Sequence, residues 1–280
     1  MADEWQWDET LFLGAAPYYV RGRLPYAPGL ADALRDALRL DGRGRGIDVG
    51  CGPGIIALRI AHLFEEVVGL DPDRGMLAEA ERLSLEKAVT NVRWVLARAE
   101  ELPAGLGTFR VATFGASFHW MDRDLVARTI LQMLEPGGAF VHVDANHYRE
   151  KIEGDEPLPH PEPPHDAIRE LIQQYLGPER RAGQGVRTVF PSGEEIVLGG
   201  AGFEPPQRVT VPGRQVIVRT VDDILANHLS GSGAAPHLFG DRLPQFEADV
   251  RRVLAEASPS GLFAERTGDT DLIIYRKPSA

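Results

Sequence analysis

Three glycines at alternate positions, set between two apolar runs, limit what this chain can fold into more than any other feature. Ile47-Asp48-Val49 is a short β-forming run that stops at Gly50-Cys51-Gly52-Pro53-Gly54, and Ile55 to Phe64 continues as a nearly all-apolar helix. A strand that breaks on glycines and reopens as a helix lets its backbone pass close to a ligand, where a side chain would collide. Val67-Val68-Gly69-Leu70-Asp71 follows as a second strand, apolar on successive residues as strands covered on both faces are. Strand, glycine turn, helix and strand make one βαβ unit.

The alternation continues downstream. A helix opens at Asp73, a good N-cap, and carries Met76, Leu77, Ala80 and Leu83 on one face. Strands are expected at 92–97, 110–114 and 139–145. Between the last two, a helix carrying Leu125, Val126, Thr129, Ile130, Met133 and Leu134 ends at Pro136-Gly137-Gly138. Ahead of the glycine loop, Leu30, Leu34, Ala37 and Leu38 mark one buried helix face. The pattern predicts an α/β chain with a doubly wound, mostly parallel sheet. The expected organisation is an N-terminal arm or lid over 1–30, a ligand-binding core over 31–146, a proline-rich linker and helical insertion over 147–190, and a part completing the sheet over 191–280, with inserted helices shaping the ligand pocket. Five prolines among residues 157–164 exclude a helix interior or a central strand there and set the linker. Beyond it, 167–176 and 196–203 read as helices, 207–219 as β-rich around Pro212-Gly213, 221–229 and 244–257 as helices, and 271–276 as a last strand.

Composition excludes several function classes. Against 30 Lys and Arg stand 41 Asp and Glu, a net charge of −11, which repels phosphate backbones and argues against a nucleic-acid partner. No stretch is long and apolar enough to span a bilayer. The acidic start Met1-Ala2-Asp3-Glu4 lacks a signal peptide's basic residues and apolar run, so a cytoplasmic protein with no membrane partner is expected. The single cysteine, Cys51, permits neither an internal disulfide nor a multi-thiolate metal site. His160 and His165 flank the proline-rich segment without a carboxylate-histidine cluster at ligand spacing, and no metal is expected. Trp5 and Trp7 are expected to pack on the core.

With Ile55 in the third glycine's place, the loop reads G-x-G-x-G and not the G-x-G-x-x-G of dinucleotide turns. No later Tyr-x-x-x-Lys pattern is present either, and a nicotinamide-dependent dehydrogenase is disfavoured. Asp71 ends the second strand 17 residues beyond Gly54, at the carboxyl edge beside the glycines, where a carboxylate can accept hydrogen bonds from both hydroxyls of a ribose. The segment Ile47-Asp48-Val49-Gly50-Cys51-Gly52-Pro53-Gly54 resembles motif I of the class I S-adenosylmethionine-dependent methyltransferases. Leu96-Ala97-Arg98-Ala99-Glu100-Glu101-Leu102-Pro103 resembles the segment after that family's third strand, and Leu134-Glu135-Pro136-Gly137-Gly138 its turn before the fifth. Order and spacing are the family's, and the resemblance, to the type 11 group, covers residues 46–146.

The resemblance implies a Rossmann-like fold with a seven-stranded sheet, helices on both faces and an inserted helical and β cap. It implies S-adenosyl-L-methionine as cofactor, S-adenosyl-L-homocysteine as product, and methyl transfer by in-line displacement to a small-molecule acceptor. Cofactor contacts are implied at Asp48, Gly50, Cys51, Gly52, Gly54, Asp71, Pro72, Met76, Ala99, Glu100 and Ser117. Ala116-Ser117-Phe118-His119-Trp120 is similar to the alanine-x-x-histidine-tryptophan segment of small-molecule methyltransferases in the group. Because it leaves the carboxyl end of a parallel strand, His119 is a candidate base for the acceptor's proton, or a wall of the pocket. Trp120, His147, Tyr18, Tyr19 and Arg21 are the substrate and lid candidates. The last three lie in a segment similar to the family's N-terminal Tyr-Tyr region. Arg110 departs from the pattern, standing where the family has an acidic residue. A cofactor-binding regulator or repurposed scaffold, with no methyl transfer, would use the same loop and is the alternative. The motifs leave acceptor and oligomeric state open.

Overall fold

The computed structural model describes residues 8–145, 157–186 and 193–279. In chain order its elements are α1 (Ala16–Gly22), α2 (Leu30–Leu38), β1 (Arg45–Val49), α3 (Ile55–Ile60), β2 (Glu66–Asp71), α4 (Arg74–Glu86), β3 (Val92–Leu96), β4 (Phe109–Gly115), α5 (Arg123–Met133), β5 (Leu134–Ala145), α6 (His165–Leu176), β6 (Arg181–Ala182), β7 (Gly185–Val186), α7 (Glu194–Ala201), β8 (Gln207–Val211), β9 (Val216–Thr220), α8 (Val221–Leu229), α9 (Leu243–Ala257), β10 (Leu262–Arg266) and β11 (Thr270–Arg276). They fall into two compact units. A sheet unit is drawn from Tyr26–Asn146, Pro191–Gly213 and Gly268–Ala280, and a helical unit from Met1–Pro25, His147–Phe190 and Arg214–Thr267.

In the sheet unit the strand order is β3-β2-β1-β4-β5-β11-β8. β1 pairs in parallel with β2 and β4, β2 with β3, and β4 with β5, whereas β11 runs antiparallel to both β5 and β8. Val68, Leu70, Phe109, Phe114 and Phe140 pack with Val126, Ile130 and Met133 of α5 and Leu198 of α7. Val67, Val111, Val141, Leu272 and Ile274 pack with Leu30 and Leu34 of α2 and Ile56 and Ile60 of α3. Covering both faces of one sheet demands apolar residues at both phases of each strand, which is why Val67 to Leu70 of β2 and Ala139 to Val143 of β5, His142 excepted, carry no polar side chain. This is the expected Rossmann-like, doubly wound sheet, with seven strands. Its direction of winding switches between β1 and β4, and the carboxyl ends of those strands open the crevice where such sheets take ligands.

Two local expectations are refined. The helix expected to run to Pro136 stops at Met133, where Leu134 turns extended and begins β5 opposite Phe109. A register shift between Phe109 and Val111 then takes up the Glu135–Gly138 turn. Arg110 donates to Asp41 Oδ1 at 2.6 Å and to the Arg39 carbonyl at 2.8 Å, so it ties the α2–β1 connection to β4. Residues 207–219 are β-rich as expected, yet β8 and β9 do not pair: β8 joins β11, and β9 joins β10 in the helical unit.

The helical unit holds α1, α6, α8 and α9 with two short antiparallel pairs, β6–β7 and β9–β10. Ile168, Leu176, Ile224, Leu229, Val250 and Phe263 form its core around Phe239 and Phe246, whose rings stack at 4.1 Å. Among the described residues no helix is long and apolar enough to cross a membrane. Trp5, Trp7 and His147 lie outside the described residues.

Candidate cofactor site

The loop after β1 has Gly50, Gly52 and Gly54 all at positive φ, +67°, +54° and +76°, which L side chains rarely adopt. Their surroundings differ. A Cβ on Gly50 would lie 2.6 Å from the Ser117 Cβ, and one on Gly54 would lie 2.4 Å from the Trp94 ring, so both positions are glycine to admit a neighbour. A Cβ on Gly52 would meet nothing within 4 Å. Of the three, Gly52 alone turns its bare backbone toward open space.

The N–H groups of this loop are already engaged. Gly50 and Cys51 donate to the Leu70 carbonyl at 2.8 and 3.0 Å, and Gly54 donates to the Cys51 carbonyl at 3.0 Å. Gly52 donates to Asp71 Oδ2 at 2.8 Å, and the other Asp71 oxygen accepts from the Asp73 N–H at 2.9 Å. Burial pushes the Asp71 carboxyl up to about 6, despite those two bonds. Asp73 caps α4 as expected, accepting from the N–H groups of Gly75 and Met76. Beneath the loop, the fully buried Asp48 accepts from the Ala57 N–H at 3.1 Å and from the Thr113 hydroxyl at 2.8 Å, which joins β1, α3 and β4. Burial, reinforced by the charge of Asp71, raises its carboxyl to about 7. Burial also pushes the Cys51 thiol well up.

At the end of β4, Ala116 adopts φ +51°, a left-handed conformation that costs a non-glycine residue on the order of 1 kcal/mol or more. That turn drops Ser117 under the glycine loop, where its hydroxyl donates to the Val49 carbonyl at 2.6 Å. A short 3₁₀ turn, Phe118–Trp120, then presents His119 half-buried, its ring 4.8 Å from that of the buried Trp120. Glu100 accepts from the Asp122 N–H at 2.9 Å, so the segment after β3 is tied to the one carrying His119. Met76 and Ala99 are buried, and Pro72 is half-buried.

The sheet unit thus brings Asp48, Gly50, Cys51, Gly52, Gly54, Asp71, Ser117, His119 and Trp120 to the carboxyl ends of β1, β2 and β4. Tyr18, Tyr19 and Arg21 are residues of α1 in the helical unit. There Tyr18 hydrogen-bonds Glu247, and burial together with that carboxylate raises its phenol. Arg21 pairs with Asp222 at 3.3 Å and Asp223 at 2.6 Å.

Two residues went unnoticed in the sequence. Trp94 fills the space vacated by Gly54 and by Gly69, where a Cβ would lie 2.3 Å from its ring, and it donates to Ser84 Oγ at 3.2 Å. A glycine in the middle of the otherwise apolar β2 was the available signal. Tyr26 places its hydroxyl 3.0 Å from the Cβ position of Gly115, at the carboxyl end of β4. No spacing motif marks it.

Fold and site together define the Rossmann-like class I methyltransferase architecture. Residues 47–138 match a family described as a methyltransferase domain. The chain is 33% identical to YcgJ of Bacillus subtilis, named as an uncharacterized methyltransferase, over 105 residues, which is 37% of this chain and 41% of that protein. It is 26% identical over 174 residues, 60% of this chain, to a 2-heptyl-1-hydroxyquinolin-4(1H)-one methyltransferase of Mycobacteroides abscessus, of which 74% is covered. The crystal structure of YcgJ superposes with a TM-score of 0.51 at 19% identity, covering 89% of this chain and 98% of that one. The [4+2]-cyclase SpnF superposes at 0.52 and 23%, covering 90% and 81%. Over residues 47–138 the chain is therefore similar to methyltransferase domains, and it has the fold of such proteins. It spans less than half of the length of YcgJ in the sequence match.

Proposed function

We propose that this chain transfers the methyl group of S-adenosylmethionine to a small-molecule acceptor in the cytosol. The observation that carries the reading is the state of the glycine loop, open above Gly52 while the N–H groups of Gly50, Cys51, Gly52 and Gly54 are spent inside the fold. What such a loop has left to offer is the remaining lone pairs of its carbonyl oxygens, those of Cys51 and Gly54 each accepting one N–H already. Carbonyls suit a ligand that bears an ammonium and a sulfonium, and ill suit a pyrophosphate, which binds through free N–H groups. Asp71 beside the loop supplies a carboxylate for the ribose hydroxyls.

When bound, the cofactor supplies a methyl carbon made electrophilic by a positively charged sulfur. The chain's own task is to hold the acceptor's lone pair in line with the carbon–sulfur bond and keep water away. Asp48 and Ser117 fix the loop from below, and the contacts at Pro72, Met76, Ala99 and Glu100 belong to the same proposal. His119, at the end of β4, takes the proton from an acceptor that carries one, or else walls the pocket with Trp120; the Tyr26 hydroxyl is a second polar group at that edge. The lid role of Tyr18, Tyr19 and Arg21 is part of the proposal, as is a place for His147. The M. abscessus relative's name supports a small-molecule acceptor, and the net charge of −11 disfavours nucleic acid.

The test is incubation of the protein with labelled S-adenosylmethionine and metabolite extract. Acceptor-dependent S-adenosylhomocysteine is expected. Tight cofactor binding with no such product would support the alternative of a repurposed scaffold.

A further inference from the structure

β9, in the helical unit, has an open outer edge. With β10 it forms a two-stranded antiparallel ribbon in which Val216 stands opposite Arg266, Val218 opposite Ala264 and Thr220 opposite Leu262. Facing residues in such a ribbon alternate between pairs that exchange hydrogen bonds and pairs whose N–H and C=O groups point outward. The phase is set at one end, where Thr267 donates to the Gln215 carbonyl at 2.9 Å. Ile217 and Arg219 therefore bond to β10, while Val216, Val218 and Thr220 turn their backbone groups outward. The far edge agrees, since Ala264 donates away from β9, to the Pro161 carbonyl at 3.0 Å. At Thr220 the outward N–H is taken by Asp223 Oδ2 at 2.8 Å. What remains is the backbone of Val216 and Val218, to which no described residue supplies a partner, beside side chains 38% and 49% exposed.

Soluble proteins blunt such edges with charge, proline or a bulge, or cover them. Elsewhere this fold follows that rule. The edge strands of the large sheet are β3 and β8, and each carries an arginine, Arg93 paired with Glu66 at 3.3 Å and Arg208 paired with Asp271 at 2.6 Å. From Gln215 to Val218, β9 has neither charge nor proline, and its register with β10 runs without a bulge. A two-stranded ribbon is marginal by itself, and further strands complete it. Val216-Ile217-Val218 reads the same in both directions. An antiparallel copy turned about a two-fold axis at Ile217 therefore sets Val216, whose backbone points outward, against the partner's Val218, whose backbone does the same. Ile217 meets the partner's Ile217 across the axis on the opposite face. Gln215 meets the partner's Arg219, a cation already paired with Glu265 of its own chain at 3.0 Å. Like charges facing each other would be destabilising, and this pairing opposes none.

We propose that β9 is the interface of a homodimer, in which two copies of this chain join β9 to β9 antiparallel and make one sheet in the order β10-β9-β9-β10. Val216 and the partner's Val218 exchange both backbone hydrogen bonds, and the Ile217 side chains pack side by side, as an isologous two-fold contact requires. A single strand pair is small beside the roughly 1,600 Å² of a standard interface, so the equilibrium is expected in the micromolar range. Assembly of this kind is independent of the chemistry at the glycine loop.

Sedimentation equilibrium of the full chain over a wide concentration range should find a reversible monomer–dimer equilibrium. Val218→Lys, at an exposed side chain, and Val218→Pro, which removes an outward N–H that β10 does not use, should each raise the dissociation constant tenfold or more, with the fold retained by circular dichroism. Leu85→Lys, at a residue 78% exposed in the sheet unit, should leave it unchanged. Cross-linking reads the register. Facing residues that exchange no hydrogen bonds have Cα atoms about 4.5 Å apart, within disulfide reach, whereas diagonal neighbours lie about 7–8 Å apart. Ile217→Cys, on the axis, should therefore form an intermolecular disulfide on oxidation and Val218→Cys should not, the native Cys51 being buried. Should Val218→Pro fail to fold, Val218→Lys and the cross-link decide. A chain that stays monomeric at every concentration overturns the dimer; hydrogen exchange then assigns the edge, protection of the Val218 amide giving it to another segment of the same chain and rapid exchange leaving it bare. A dimer indifferent to Val218→Lys, or one that Ile217→Cys does not cross-link, overturns it equally by placing the interface elsewhere.

Discussion

Replacing Asp71 by Asn probes the cofactor site through its electrostatics. The carboxylate holds the Gly52 and Asp73 N–H groups at 2.8 and 2.9 Å, and burial lifts it to about 6. If the ionised form is the one that takes the ribose hydroxyls, wild-type affinity for S-adenosylhomocysteine should be nearly full at pH 8. It should be about tenfold weaker at pH 5, where roughly a tenth of the carboxyl is ionised. Unfolding does not account for that loss. Asp48 and Asp71 both carry raised values, so the native state takes up their protons before the unfolded chain does, and these groups stabilise the fold as pH falls from about 7 toward 4. In Asp71→Asn one amide nitrogen faces an N–H donor. Loss of a hydrogen bond to a charged group, worth roughly 1.5–3 kcal/mol, predicts 10- to 100-fold weaker binding, with no pH dependence between 5 and 8. Calorimetry at four pH values decides it, with Asp48→Asn as the control that keeps the wild-type slope. A flat wild-type profile, or the same slope in Asp71→Asn, would refute the assignment.

Asp48→Asn should itself be more stable than wild type, by a margin that widens by about 2 kcal/mol between pH 5 and pH 8, because the destabilising charge develops only as pH rises toward and past about 7; equal margins in denaturant titrations at both pH values would argue against a charged Asp48. Gly52→Val should fold, since its Cβ meets open space, at a cost of about 1–2 kcal/mol for a β-branched residue at φ +54°. Fluorescence titration should then find cofactor binding abolished, and retained affinity would mean the ligand does not approach there. His119→Asn separates two roles once an acceptor is in hand. As a base its loss lowers the transfer rate roughly a hundredfold with cofactor affinity unchanged, whereas as a pocket wall it lowers both together and leaves the pH profile as it was.

The βαβ start, the Asp73 cap and the strands of the doubly wound sheet were legible because each is written in consecutive residues: apolar runs, breakers and a capping side chain. The three loop glycines were legible as a set but not one by one. What separates Gly52 from Gly50 and Gly54 is the placing of Ser117 and Trp94, brought there by β4 and β3 from 40 and more residues away. The β10 strand was missed because Leu262–Arg266 mixes apolar and charged residues and finds its partner in β9 rather than in an adjacent run. The segment before Leu30 gave no periodicity long enough to announce α1, whose seven residues are held by packing at Gly22.

The pairing of β11 with β5 has a consequence for how the protein is made. On the ribosome β1 to β5 emerge in order and can pair as they appear, but the free edge of β5, with Ala139, Phe140, Val141 and Val143 along it, meets its partner only once Thr270–Arg276 has been synthesised. Until then the nascent sheet presents an unpaired apolar strand, the kind of edge that recruits other chains. Slow translation of the intervening segments, or truncation ahead of Thr270, should therefore drive the protein into inclusion bodies or onto chaperones, whatever the integrity of the glycine loop.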